Sequence, residues 1–449
     1  MGEGTSRRMK VAAPFLGLTA GVLLLAGNAL AEGEADRFWP QWRGPLGTGV
    51  APHGDPPVHW SETNGVRWKT PLPGVGHSTP VLWDNRIYVT AAAPTGKGQE
   101  PVYNMASGAH DNFAITNRFD YMVLALDRAD GKVLWNRKVH QALPHEGGHY
   151  TGSQASASPV TDGSHVFAYF GSHGLYCLDT EGTVVWELQL GRMNTKHAHG
   201  EGSSPALHGD ILVVNWDHEG DSFVAGLDKR TGRTLWKKDR NEPTSWSSPM
   251  VVEHDGRAQV VVSATERVRG YDLKTGEVIW ECAGLSHNVV ATPVAGHGLV
   301  FVANSYDRQA MLAIRLEGAR GDITDTDQVV WSRNRLTPYV PSPLLYDDTL
   351  YFIRHLQGIL SCVDARTGVD RHGPFRLNGI GMVFASPAGA AGRIYIADRQ
   401  GATLVFRHGP DPEPLAMNHL EDAFSASPVI AGKELYLRGE RSLYCLVEE

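Results

Sequence analysis

A small residue, a proline and an apolar residue recur eight times along the chain. The instances are Thr79-Pro80, Ser158-Pro159, Ser204-Pro205, Ser248-Pro249, Thr292-Pro293, Ser342-Pro343, Ser386-Pro387 and Ser427-Pro428. The prolines are spaced by 79, 46, 44, 44, 50, 44 and 41 positions, so only the first interval departs from a repeat of mid-forties length. A repeat of that period, made of short strands and turns, is the mark of a propeller blade. Within each unit the order is fixed. After the proline comes a turn such as Asp84-Asn85 or Gly209-Asp210, then an alternating apolar strand such as Ile87-Tyr88-Val89 or Ile211-Leu212-Val213. A third strand ends in Asp and enters a Gly-containing hairpin, as from Asp228 to Gly232 or Asp272 to Gly276. A fourth strand carries Trp135, Trp186, Trp236, Trp280 or Trp331. The Asp bonds the backbone two residues on, and the Gly supplies the positive φ of the turn.

The ends of the chain bear on closure. The eighth unit stops after its third strand, Leu443-Tyr444-Cys445-Leu446, while Val66-Arg67-Trp68-Lys69 precedes the first proline as a fourth strand with no owner. Pairing the two leaves no free edge. The expected fold is therefore all-β: an eight-bladed β-propeller of four-stranded antiparallel blades, with the N-terminal strand completing the last blade.

Residues 1–31 read as a secretory signal peptide. Arg7, Arg8 and Lys10 precede an apolar stretch from Val11 to Leu30, and Ala29-Leu30-Ala31 makes a small-x-small cleavage site. An uncleaved anchor is the other reading, since the stretch has the length of a span. The expected division is a signal peptide at 1–31, an N-terminal extension at 32–65 and the propeller at 66–449. No Cys adjoins the cleavage site to take a lipid, and no later apolar run has the length of a transmembrane segment. The expected location is periplasmic or secreted. The net charge of −8 removes nucleic acid as a partner, because binding phosphate needs a basic footprint. Four cysteines in 449 residues make no disulfide framework. Cys177, Cys362 and Cys445 hold equivalent third-strand positions in non-neighbouring blades, and Cys282 follows a Trp strand, so all four are expected to be free and buried. A Gly-x-Ser-x-Gly elbow and a haem-attaching Cys-x-x-Cys-His are both absent from the sequence.

The repeats resemble the pyrroloquinoline quinone (PQQ) repeat, roughly Ala-x-Asp-x-x-Thr-Gly-x-x-x-Trp. Gly226 to Trp236 and Gly270 to Trp280 match well. Ala125 to Trp135 has Asp130 in the Thr place, and Cys362 to Gly368 lacks the Trp. Trp39-Pro40-Gln41-Trp42-Arg43-Gly44-Pro45 is similar to the start of exported PQQ-like propellers of planctomycetes and related bacteria. Quinoprotein alcohol dehydrogenases share this repeat, and so do the assembly factor BamB and its non-catalytic relatives. The first group implies PQQ with Ca²⁺ as cofactors and a pair of adjacent cysteines over the quinone; this chain has no Cys-Cys pair. The second implies a protein-binding role in the envelope, although that factor is a lipoprotein. No partner-binding residue of it is matched here position by position.

Function has to come from loops, because the repeat residues serve the blade. The links between blades and the turns from second to third strand fall on one face, which collects the long segments 91–120, 139–156, 190–202, 215–222 and 241–247. Three clusters stand there: His140, His145, Glu146 and His149 with Tyr150 and Thr151; His197, His199 and Glu201; and Asn215 to Asp221, near Glu242 and Trp246. Imidazoles with carboxylates suit zinc. Asp217, Glu219 and Asp221 alternate like the start of a calcium loop but lack its closing Glu. Equally, polar loop residues cap one another. The expected ligand-binding residues are His149, His199, Glu201, Asn215, Trp216, Asp217, His218, Glu219, Asp221, Glu242 and Trp246. No catalytic residue is assigned and metal content is left open. The expected function is an exported non-catalytic scaffold, without a cofactor, that binds an envelope protein or a small molecule on the long-loop face. A PQQ-dependent oxidoreductase and a metal-dependent enzyme on the His clusters are the alternatives.

Overall fold

The computed structural model describes residues 1–2, 33–102, 106–409 and 412–448. Except for its first two residues, the expected signal segment lies outside them. The described strands form eight sheets. Blade one runs, from the channel outward, through Val81–Trp83, Arg86–Thr95, Arg118–Asp127 and Val133–Ala142. Blades two to seven follow in chain order over residues 160–188, 206–239, 250–282, 294–333, 344–376 and 388–419. Blade eight takes three strands from residues 429–446 and its outermost one, Val66–Pro71, from the start of the fold. That strand runs antiparallel to Ser442–Leu446, with Trp68 opposite Cys445 and Lys69 opposite Tyr444, so the expected closure holds. Part of the 91–120 insertion is not loop: it lengthens the two middle strands of blade one, which pair from Arg86–Asp127 out to Thr95–Arg118.

The repeated residues have identifiable jobs. Each outer-strand Trp reaches into the hairpin of the next blade. Trp135 Nε1 donates to Thr180 O at 2.9 Å, Trp186 to Lys229 O at 2.9 Å, Trp236 to Leu273 O at 2.8 Å and Trp331 to Ala365 O at 2.9 Å. Trp68 does the same for the closing blade, donating to Arg128 O at 3.0 Å. The hairpin glycine is required twice over. Gly131 has φ +72°, and a Cβ there would lie 2.6 Å from the Trp68 ring. Trp280 departs from the rule: it is fully buried and donates to Gln259 Oε1 of its own blade. The reason is a short strand, Gly321–Asp322, that pairs with Trp280 and Glu281 and covers that blade's outer edge.

The residues before the prolines form a closed belt around the channel. Thr79 N donates to Ser158 Oγ at 2.9 Å, Ser158 N to Ser204 Oγ at 2.9 Å, Ser204 N to Ser248 Oγ at 2.8 Å, and Ser248 N to Thr292 Oγ1 at 3.0 Å. The belt continues through Thr292 N to Ser342 Oγ (2.9 Å), Ser342 N to Ser386 Oγ (2.8 Å) and Ser386 N to Ser427 Oγ (3.0 Å), and closes from Ser427 N to Thr79 Oγ1 (3.0 Å). Every blade therefore supplies a hydroxyl to the backbone of its predecessor, all of them at buried positions. Replacing Ser248 by Ala leaves the buried Ser204 N–H without a partner. Urea unfolding is expected to show a loss of about 1–3 kcal/mol, against little change for an exposed hairpin serine or threonine.

The described part of the extension crosses beneath this belt. Trp39 bridges to Leu82 in blade one, Pro40 O accepts from Thr161 N in blade two, and Trp42 Nε1 donates to Ser427 Oγ at 3.2 Å. The buried Arg43 guanidinium donates to the carbonyls of Pro387 (3.1 Å) and Pro343 (2.9 Å) in blades seven and six. The segment thus ties five or more inner strands together before Trp60 N meets Asn418 Oδ1 on the outside of blade seven. The four cysteines are free and buried, and burial pushes the Cys177, Cys362 and Cys445 thiols up to about 12 and that of Cys282 to about 11. None of the four is set up as a nucleophile.

Candidate functional site

The belt and Trp42 form the floor of a central cavity of about 410 Å³ that opens on the long-loop face. Its walls differ by side. Blades one and two contribute His149, Thr151, Ser153, His199 and Glu201, whereas blades five to seven contribute Tyr306, Tyr339, Val340, Leu356, Met382 and Phe384. Tyr339 stacks on His355 with centroids 4.8 Å apart and packs against Tyr306 at 5.6 Å. Among the described residues neither Lys nor Arg lines the cavity.

A second, smaller chamber of about 40 Å³ lies behind Trp246, whose Nε1 donates to Gly200 O at 2.7 Å. Glu146, Glu201, Asn215, Asp217 and Tyr169 all line it. The Glu201 carboxylate accepts from Ser172 N at 2.6 Å and Ser172 Oγ at 2.5 Å, and the Glu146 carboxylate from Thr195 N at 2.9 Å and Thr195 Oγ1 at 2.5 Å. Burial pushes Glu201 up to about 7; the Ser172 bonds only partly offset this, and the nearby Glu146 adds to it. Gly171 makes the carboxylate's position possible, because a Cβ there would stand 1.4 Å from Glu201 Oε2. Asn215 Oδ1 and Tyr169 Oη are buried without a protein partner, and the chamber has room for a water or two to satisfy them.

The expected residues divide between these spaces and the scaffold. His149, His199, Glu201 and Trp246 line the central cavity. Asn215 and Asp217 line the inner chamber with Glu201 and Trp246. Asp217 is also half of a fully buried ion pair: Arg240 Nε reaches its Oδ1 at 2.7 Å and Arg240 Nη2 its Oδ2 at 3.1 Å. Trp216 stacks on Phe223 at 5.5 Å and is buried. His218 Nδ1 accepts from Asn194 N at 3.2 Å, and Glu219 accepts from Thr244 N at 3.0 Å and Thr244 Oγ1 at 2.8 Å. Glu242 takes Glu266 N, Arg267 N and the Arg269 guanidinium, the last at 2.6 Å. These four brace the loops of blades two to four, and Asp221 is exposed beside them. His140 and His145 do not join His149; they pack against His173 at 5.8 and 5.9 Å, and His145 Nε2 bonds Met193 O at 2.7 Å. Among the described residues no group of three or more His, Cys, Asp or Glu side chains stands arranged to hold a metal ion.

Burial holds His173 and His77 down to about 3, from an ordinary value of 6.5, with nearby positive groups adding to the effect. Both are neutral in the fold and charge when it opens. Their contribution to stability is therefore present above about pH 6.5 and is lost as pH falls below it, at up to about 1.4 kcal/mol per pH unit for each group. Glu201 works in the opposite sense between its ordinary range and about 7. Urea midpoints at pH 7.0, 6.0 and 5.0 should fall less steeply in His173→Phe than in the parent. Parallel slopes would mean that His173 is protonated in the fold.

Sequence reasoning missed Trp42 as the floor, the apolar wall, and His110, which comes from the blade-one insertion and meets His197 and His199. Isolated Tyr and Phe residues in different loops carry no local signal of facing one channel.

Comparison with known proteins follows the fold. A family profile described as outer membrane protein assembly factor BamB matches residues 120–371, more than half of the chain. No relative is found among curated proteins. BamB from Moraxella catarrhalis is similar over 79% of this chain and 98% of its own, at 14% identity and a TM-score of 0.50. Quinohemoprotein alcohol dehydrogenase from Comamonas testosteroni is similar over 93% of this chain and 82% of its own, at 10% identity and a TM-score of 0.61. The computationally designed Ika8 protein is similar over 86% of this chain and all of its own, at 11% identity and a TM-score of 0.56. At these identities the structures speak for the fold alone. In the described residues no helix is long and apolar enough to cross a membrane. By its repeats, its ring and its family match, the chain belongs to the PQQ-repeat β-propellers of the family of outer membrane protein assembly factor BamB.

Proposed function

We propose that this protein is an exported, non-catalytic binding propeller of the cell envelope, delivered by the signal segment at 1–31, that takes a neutral, part-apolar group of a partner protein or small molecule into its central cavity. The observation that carries this reading is the two-sided wall. Tyr306, Tyr339, Leu356 and Phe384 offer an apolar and aromatic surface, while His149, Thr151 and Ser153 opposite offer hydrogen bonds. Ring-borne loops around a rigid channel are a usual place for such a site.

The quinone of the dehydrogenase relatives does not fit these residues. PQQ carries three carboxylates, and among the described residues no Lys or Arg lines the cavity to receive them. The Arg399 guanidinium, which bonds the lining residues Thr151 and Ser425, is already engaged there by Thr151 O (3.0 Å) and Ser425 Oγ (3.1 Å) and by Glu440 (2.9 Å). An anion in that space would face the Glu201 carboxyl instead of a counter-charge. Purified protein incubated with PQQ and Ca²⁺ should therefore show neither a retained quinone absorbance nor alcohol- or sugar-dependent dye reduction above a protein-free control. Stoichiometric retention with turnover would replace this reading by the oxidoreductase one.

A further inference from the structure

We propose that His110, His197 and His199 form a binding site for a borderline divalent cation of the Zn²⁺ and Cu²⁺ class at the rim of the central cavity. Two of the three, His110 and His199, also line the cavity, so the ion would sit at its edge. Three imidazoles reach this point from two separate segments: His110 from the insertion in blade one, His197 and His199 from the link between blades two and three. Their ring centres form a near-equilateral triangle with sides of 5.0, 4.9 and 5.4 Å. A Zn–N bond of about 2.0–2.1 Å places each ring centre about 3.2 Å from the metal, so tetrahedrally disposed imidazoles have centres about 5 Å apart. The triangle has those dimensions.

The outer nitrogens are held in the manner of metal-bound imidazoles. His110 Nδ1 lies 2.7 Å from Gly108 O, His199 Nε2 lies 3.3 Å from His110 O, and His197 Nδ1 lies 3.4 Å from Ser107 O. A carbonyl only accepts, so in each neutral ring that nitrogen carries the proton. The other nitrogen, Nε2 of His110 and His197 and Nδ1 of His199, is left with its lone pair. Backbone anchoring of the far nitrogen is the usual outer support of a ligating histidine. The backbone is shaped for it as well. His197 and Ala198 hold φ of +57° and +54°, a left-handed conformation that non-glycine residues keep only where the surroundings impose it. Asn112 Nδ2 imposes it in part, donating to His197 O at 2.8 Å. Gly108 lies so close to His197 that a Cβ there would stand 2.8 Å from Nδ1.

Among the described residues no ready-formed metal centre is present, so metal arrival has to bring the three lone pairs onto one point. His110 is exposed, so an ion can reach the triangle from solvent on that side. An all-imidazole set disfavours Ca²⁺ and Mg²⁺ and ranks Cu²⁺ above Zn²⁺.

The test uses the full, untagged protein. Equilibrium dialysis against Zn²⁺ and against Cu²⁺ is expected to retain one ion per chain, with nitrogen hyperfine structure in the Cu²⁺ resonance spectrum. His110→Ala lies on the exposed insertion and should keep the parent's circular dichroism while binding at least about tenfold more weakly, as should His197→Ala. His145→Ala, outside the triangle, should bind like the parent. Retention of no ion, or retention unchanged in both His110→Ala and His197→Ala, overturns the site. Loss in His145→Ala to the same degree overturns it too, because the ion would then sit elsewhere.

Discussion

Replacing Asp217 by Ala is expected to destabilise the protein by about 3–5 kcal/mol, among the largest effects available at a single position. Both side chains of the Asp217–Arg240 pair have no exposed surface, and the pair makes two bonds of 2.7 and 3.1 Å. Arg240 also donates to Tyr271 Oη, and Ser245 Oγ donates to Asp217 Oδ2 at 2.7 Å. Removing the carboxylate leaves a guanidinium sealed between blades three and four whose one remaining hydrogen-bonded side-chain partner is the Tyr271 phenol, with the Glu242 carboxylate only nearby. The energetic penalty is therefore the stranded charge, more than the lost attraction. Asp217→Ala with Arg240→Met removes both charges and should recover a large share of the loss. Urea unfolding followed by circular dichroism measures both variants. A cost below about 1 kcal/mol for the single variant would mean that water or another anion reaches Arg240, and the loops around the inner chamber would be less tightly closed than described.

Trp68→Ala should cost about 3–5 kcal/mol, and it should do so at the seam. The ring is 8% exposed, packs against Tyr436 at 5.8 Å, and fills the space over Gly131 that the hairpin of blade one leaves for it. Its Nε1 bond to Arg128 O joins the last blade to the first across the point where the ring closes. Truncation thus loosens Val66–Pro71 from both Ser442–Leu446 and blade one. Hydrogen exchange should show these two strands losing protection together, while the belt around Ser204 and Ser248 keeps its own. Uniform loss across all blades would indicate that closure is shared evenly around the ring and that this seam has no special place.

The ring was legible because its signals are local and repeated. Thr79-Pro80 and its seven counterparts, the Asp–Gly hairpins and the Trp strands each sit at fixed offsets, and Val66-Arg67-Trp68-Lys69 was readable as a missing fourth strand. What those residues do for one another was less so. The belt from Thr79 round to Ser427 joins residues 41 to 79 positions apart, and nothing at Ser204 announces that its hydroxyl serves Ser158. The candidate site was legible in part. Glu201 and Trp246 were singled out by their loops and stand between the two chambers. The cluster from Asn215 to Asp221 looked equally rich, yet Asp217, Glu219 and Glu242 spend their carboxylates on Arg240, Thr244 and the backbone of residues 266 and 267. Sequence does not distinguish a carboxylate that faces a ligand from one that faces its own loop. Trp42, His110, Tyr306 and Tyr339 converge only through the circular arrangement, each from a different segment, so they were the hardest to find.

The most direct measurement of the central claim is a binding map of the two faces. Neutral aromatic compounds and apolar peptides that raise the melting temperature of the parent protein are titrated against Tyr339→Ala, in the apolar wall, and Lys274→Ala, on the exposed hairpin between Asp272 and Gly276. The account predicts dissociation constants at least about tenfold weaker in Tyr339→Ala and unchanged in Lys274→Ala. Ligands that bind Tyr339→Ala as tightly as the parent while losing affinity in Lys274→Ala would contradict it.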